Sequence, residues 1–195
     1  MPDGRSRFVP IAIVDEIIDL SAGSPFYIQM FCQRLVQYMN DMKIERVTAA
    51  DIDEVTRGLI QGRERIDPVQ SFDNLYRYKD DPKDSREAVL EGLVIYLLAH
   101  ETISKRHATV SAIYDHIRHF VSEDELDKTL TELEQRRTIL QEVDDTSATK
   151  SIQHPLRSRR YRIRVDLFRH WLVVNRPVDD DVLRSFERKL SNGDS

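Results

Sequence analysis

A chain of 195 residues, 40% of them apolar, holds one large domain or two small ones and has enough apolar side chains for an ordinary core. Its formal net charge of −5 argues against a global attraction to nucleic acid, and a single cysteine, Cys32, excludes an intramolecular disulfide. No apolar run is long enough to span a membrane and no signal peptide precedes the first helix, so the expectation is a soluble, cytoplasmic protein.

The first nine residues are polar apart from Phe8 and Val9 and predict a fraying or linking segment. Ile11, Val14, Ile17 and Ile18 recur at helical spacing and predict a first helix ending near Ser21. A helix end and restart follow at once. Gly23 suits the position just past a helix, Ser24 is a good N-cap, and Pro25 fits the first turn of the next helix. That second helix is predicted from about Pro25 to Asp41, with Ile28, Phe31, Cys32, Leu35, Met39 and Met42 on one face; Cys32 is read as buried core. Thr48, with Asp51 three residues on, opens a third helix whose buried stripe is Ile52, Val55 and Leu59. These three amphipathic helices predict a small bundle over residues 1–62.

Residues 63–84 break the pattern with Pro68, Pro82 and the run Lys79-Asp80-Asp81-Pro82-Lys83-Asp84, and read as a linker; Phe72, Leu75 and Tyr76 within it suggest a short helical turn. A second domain, 85–195, begins with a helix carrying Val89, Leu90, Leu93, Val94 and Leu97. Another helix is expected from His107 to Phe120, with Val110, Ile113, Tyr114 and Ile117 inward. Ser122 and Glu125 form a capping box for a third, with Leu126, Leu130 and Leu133 inward. Ile139 to Val143 reads as a short strand and Asp144 to Ser158 as a polar loop. Tyr161, Ile163 and Val165 then alternate with Arg160, Arg162 and Arg164, as in a half-buried strand. Three helices and a two-stranded hairpin make a winged helix, a variant of helix-turn-helix. Asp166 to Val174 resumes helix until Pro177, and Asp181 to Leu190 forms a final short one. The fold class is therefore mainly α, with a small β-hairpin wing.

The helix–turn–helix around Gly23-Ser24-Pro25, followed by an aromatic-rich helix and Val47-Thr48-Ala49-Ala50-Asp51, resembles the lid subdomain of STAND-type NTPases, a branch of the AAA+ ATPases. Leu133, Arg136, Arg137, Ile139 and Leu140, then Tyr161 to Val165 and Asp166-Leu167-Phe168-Arg169-His170-Trp171-Leu172, are similar to the winged-helix domain that follows such lids in prokaryotic ATPases. The resemblance implies that Gly23 and Pro25 face a bound nucleotide, with the proline against the adenine. It also implies ATP or ADP with magnesium as cofactor of a larger protein. There is, however, no G-x-x-x-x-G-K-[ST] in the sequence and no apolar strand ending in paired acids, so no cofactor is expected on this chain alone. The implied partner is an upstream P-loop ATPase domain or a partner subunit.

Charge is unevenly spread. Arg157, Arg159, Arg160, Arg162 and Arg164 lie on or beside the predicted wing, in a stretch without acids. Just upstream, Glu123, Asp124, Glu125 and Asp127 head the third helix of the winged domain. Wing arginines could grip phosphates, but those acids would repel them from the reading helix, so any contact with duplex DNA would be led by the wing and weakly specific. The bland alternative pairs the wing with an acidic surface, in this chain or on a partner. His116 and His119 are three apart, with Glu123 one turn on, but nothing else converges to make a metal site, and exposed helix histidines are the default. Trp171, Phe168 and Leu172 read as core. No nucleophile elbow, cysteine–histidine pair or dinucleotide fingerprint is present, so no catalytic residue is assigned and an enzyme acting alone is not expected. Three readings follow: the non-catalytic, nucleotide-sensing C-terminal portion of an AAA+/STAND ATPase; a free-standing winged-helix DNA-binding regulator; or a protein-interaction module that assembles a homo-oligomer.

Overall fold

The computed structural model describes residues 11–61, 85–142, 156–175 and 180–192. The predicted linker 63–84, the N-terminal nine residues, Pro177 and most of the predicted polar loop lie outside them. The described residues are mainly helical, with eight α-helices and one small three-stranded antiparallel sheet. None of these helices is long and apolar enough to cross a membrane. By contact the chain divides into two compact units, Met1–Asp67 with Val165–Leu167, and Pro68–Arg164 with Phe168–Ser195.

The first unit holds α1 (Ile11–Ser21), α2 (Pro25–Met42) and α3 (Ala49–Gln61). Its buried residues include Ile13, Ile17 and Leu20 of α1, Tyr27, Phe31, Leu35 and Met39 of α2, and Ile52, Val55 and Leu59 of α3. Helix α2 packs on both neighbours. Of the expected α1 stripe only Ile17 is buried; Ile11, Val14 and Ile18 are exposed. The apolar arc of α1 is wide, and the bundle covers the half bearing Ile13 and Leu20. In α2, Cys32 is half-buried where a core residue was expected, and Met42 is exposed in the final turn.

Both turns of this unit use the same device. The Ala22 N–H donates to the Asp19 carbonyl at 3.4 Å and the Gly23 N–H to that of Ile18 at 3.1 Å. This is a Schellman ending, and its left-handed residue is Ala22, at φ 53°, not Gly23. Gly23 is second, also at positive φ, 69°. Helix α2 ends likewise, with Lys43 at φ 55° and the Ile44 N–H donating to Met39 at 3.0 Å. Ser24 occupies the N-cap of α2 with extended backbone but makes no side-chain cap bond; Pro25 begins the helix. At α3 the Asp51 carboxylate accepts from the Thr48 N–H at 2.8 Å and the Thr48 hydroxyl at 2.7 Å.

The second unit is built around α4 (Arg86–Glu101), which is buried on every side from Val89 to Ala99 except near Gly92. Its run of apolar residues leaves no polar face, the pattern of a central helix rather than a surface one. Around it pack α5 (Val110–Ile117), α6 (Glu123–Gln135), α8 (Asp180–Asn192) and strand β3 (Arg160–Ile163). The expected helix from His107 to Phe120 is shorter than predicted. Ala108–Thr109 forms β1 instead, and the Thr109 side chain caps α5 by accepting from the Ala112 N–H at 3.2 Å. The sheet is therefore three-stranded, in the order β1–β3–β2, where a two-stranded hairpin was expected. Ala108 pairs with Tyr161, and β2 (Ile139–Glu142) pairs with β3 so that Leu140 lies opposite Arg162. Tyr161 and Ile163 face the core, with Arg160 and Arg162 on the other face. Helix α7 (Asp166–Asn175) contributes buried Phe168, Trp171 and Leu172, with the Phe168 and Trp171 rings stacked at 6.5 Å.

Candidate functional site

Helix α6 starts with a complete capping box. Ser122 accepts from the Glu125 N–H at 3.2 Å, and the Glu125 carboxylate accepts from the Ser122 N–H at 2.9 Å. That backbone bond is the main cause of a Glu125 pKa held below the ordinary carboxylate value, with Arg86 assisting. The box fixes the first turn of α6, and Glu123 and Asp127 meet arginines of the segment that leads into β3.

A 3₁₀ turn, Leu156–Ser158, precedes β3 and lies against α5. From it Arg157 donates through Nε to Glu123 at 3.0 Å and engages the same oxygen through Nη2. Its guanidinium also stands 5.1 Å from the centre of the Tyr114 ring. The bond to Glu123 raises the Arg157 pKa further. Arg159 donates to Asp127 at 2.9 Å. The five arginines expected on or beside a wing thus divide into two groups. Arg157 and Arg159 are held by acids of α6. Arg160, Arg162 and Arg164 lie on and just past β3, each partly exposed, and among the described residues no ion pair involves Arg162 or Arg164.

Arg86, which sequence reasoning did not single out, is a hub. Its guanidinium donates to Glu125 at 3.1 Å, to the Leu190 carbonyl at 2.6 Å and to the Phe120 carbonyl at 3.1 Å. It joins the starts of α4 and α6 to the end of α8 and to the turn after α5. Glu91 and Arg136 form a second unforeseen pair linking α4 to the end of α6. Glu91 was the available signal: an acid inside an apolar helix, here only 6% exposed, needs a buried partner.

Gly23 and Pro25 share the exposed turn between α1 and α2. A Cβ on Gly23 would meet no atom within 4 Å, so only its positive φ favours glycine there. Next to Pro25, the exposed Phe26 ring meets that of Tyr27 edge-on at 5.2 Å. Burial pushes the Tyr27 hydroxyl up to about 12. His116 is exposed and lies 3.2 Å from Glu101, whereas His119 falls in the turn after α5 has ended, so the two histidines do not share a helix. No described cluster of three or more histidine, cysteine, aspartate or glutamate side chains could hold a metal ion.

Comparison of the chain with protein-family models, with curated proteins and with solved structures returns no match.

Proposed function

We propose that this chain is a non-catalytic regulatory module: a lid-like three-helix bundle joined to a winged helix that makes contacts with protein. The order helix–strand–helix–helix–strand–strand from α4 to β3, with the sheet order β1–β3–β2, supports the winged-helix reading. The exposed Gly23-Ser24-Pro25 turn suits the nucleotide-facing corner of a lid, completed by an ATP-binding P-loop domain upstream or on a partner subunit.

The observation that carries the choice of protein over DNA is the clasp of Arg157 on Glu123 and Arg159 on Asp127. In a DNA-reading winged helix, the wing arginines and the start of the third helix both address phosphates. Here two of those arginines, Arg157 and Arg159, are bonded to that helix instead, and the exposed Asp124 adds negative charge to its first turn.

Titration of the chain with a short duplex at low salt tests this. Wild type is expected to give no shift, and Glu123→Gln with Asp127→Asn is expected to create weak, salt-sensitive binding by releasing the two arginines. Salt-dependent binding of the duplex by wild type would replace this reading with that of a DNA-binding regulator. Calorimetry with magnesium ATP is expected to show neither hydrolysis nor stoichiometric micromolar binding, because no loop here wraps a triphosphate.

A further inference from the structure

We propose that the outer face of the sheet, centred on Arg162 and Arg164, docks a short acidic protein segment. The inference rests on the protein-contact reading above and names the chemistry of the partner. Strand β3 turns Tyr161 and Ile163 into the core, which leaves its alternate residues outward. Arg162 lies opposite Leu140, itself only half-buried, so an arginine and an apolar side chain sit together on this face. Just past the strand, the Arg164 N–H donates to the Thr138 carbonyl at 3.0 Å. That bond places Arg164 beside the backbone of Arg137, whose exposed side chain follows a left-handed turn at φ 59°. None of Arg137, Arg162 and Arg164 takes part in an ion pair among the described residues, whereas Arg157 and Arg159 are both engaged by α6.

Spacing and geometry favour a peptide. Alternate residues on a strand lie about 6.5–7 Å apart, which is the spacing of alternate side chains on any extended segment. Guanidinium groups also bind carboxylates through paired, parallel hydrogen bonds. The basic footprint is short and ends where Arg159 is neutralised by Asp127. Duplex affinity grows with the number of phosphates neutralised, and three arginines beside the acids of α6 supply few. A segment with two or three carboxylates matches the footprint without running past those acids.

The test uses the full chain and a labelled peptide alternating glutamate with threonine, followed by fluorescence anisotropy at low salt. The same peptide with glutamine for glutamate, and a short duplex, are the comparisons. The glutamate peptide is expected to bind, and the glutamine peptide and the duplex are not. Arg162→Glu with Arg164→Glu is expected to weaken peptide binding by about tenfold or more at unchanged melting temperature. Arg157→Ala is expected to leave it unchanged. Failure of the glutamate peptide to bind, or binding indifferent to the double charge reversal, overturns the proposal; with the duplex also inert, the protein-contact reading survives. Duplex binding lost in the same double variant overturns both.

Discussion

Helices α1 and α4 are both rich in apolar residues, yet one is half-covered and the other is wrapped. In α1 the bundle buries Ile13, Ile17 and Leu20, while Ile11, Val14 and Ile18 remain exposed, Ile11 to 78%. In α4 the residues from Leu93 to Ala99 are all buried, and its own Arg86 and Glu91 tie the helix to other elements, Arg86 to the Leu190 carbonyl and Glu91 to the Arg136 guanidinium. Composition alone does not separate the two cases. What separates them is the number of elements available to cover each helix: α1 packs on α2, whereas α5, α6, α8 and β3 surround α4. An apolar residue contributes stability in proportion to the surface it removes from water, so similar leucines and isoleucines carry very different weight in the two helices.

The largest expected effect lies on α4. Glu91→Ala leaves Arg136 charged and without its buried acid, and is expected to destabilise the second unit by about 3–4 kcal/mol. The protein's only tryptophan, Trp171, is buried in that unit, so its emission during urea unfolding follows the change. Replacing both partners, as in Glu91→Met with Arg136→Met, is expected to recover most of the loss, because the half-buried Arg136 charge no longer has to do without Glu91. A loss as large in the double variant as in the single one would show that the pair itself, and not the charge left behind on Arg136, dominates.

Within the first unit the contrast between covered and uncovered positions can be measured directly by far-ultraviolet circular dichroism during denaturation. Leu35→Ala, at a buried position, is expected to cost about 2–4 kcal/mol. Ile18→Ala, on the uncovered face of α1, is expected to stay within about 0.5 kcal/mol. A comparable cost at both positions would mean that the exposed face of α1 is covered in solution.

Helix endings should behave alike in the two units, because they are local. Ala22, Lys43 and Arg137 all hold positive φ without being glycine. Glycine at any of them removes a clash of Cβ with the backbone and is expected to stabilise by about 0.5–1 kcal/mol. A melting temperature that falls in all three variants would contradict the left-handed assignment.

The smallest expected effect is in acid. Glu125 is held below its ordinary pKa chiefly by the Ser122 N–H, and Asp51 chiefly by the Thr48 hydroxyl. A carboxyl depressed on folding adds stability above its unfolded pKa and loses that contribution as pH falls through its folded value. Stability of both units should therefore drop as pH falls below the usual carboxylate range. Glu125→Gln and Asp51→Asn should each flatten that drop by about 0.5 kcal/mol or less, since both side chains meet solvent. Melting curves taken down through that range decide it; a steeper loss in either variant would count against these caps.

How much of this could be read from the chain depended on sequence distance. The box of Ser122 and Glu125 spans one helical turn, and so does the pairing of Thr48 with Asp51; both were legible. The cluster of Phe168, Trp171 and Leu172 was read as core, and all three are buried. The arginine alternation of β3 was legible too, because a period of two needs only the strand itself. Strand β1 was not, since two residues carry no period and Ala108 is strand only by pairing with Tyr161. Nor could the clasp be found: Arg157 and Glu123 are 34 residues apart, and Arg159 and Asp127 are 32 apart. A block of arginines beside a block of acids announced opposite charges, but not which members would meet.

By itself the sequence determined where the chain turns and restarts, because caps, prolines and apolar periods act over a few residues. It also determined which side chains could be core. Only the tertiary structure decided which half of α1 is covered, that α4 is central, and that Arg157 and Arg159 are neutralised while Arg162 and Arg164 have no ion-pair partner among the described residues. Those outcomes depend on which elements come together across long stretches of chain. Burial and charge pairing are properties of that arrangement, and no local pattern encodes them.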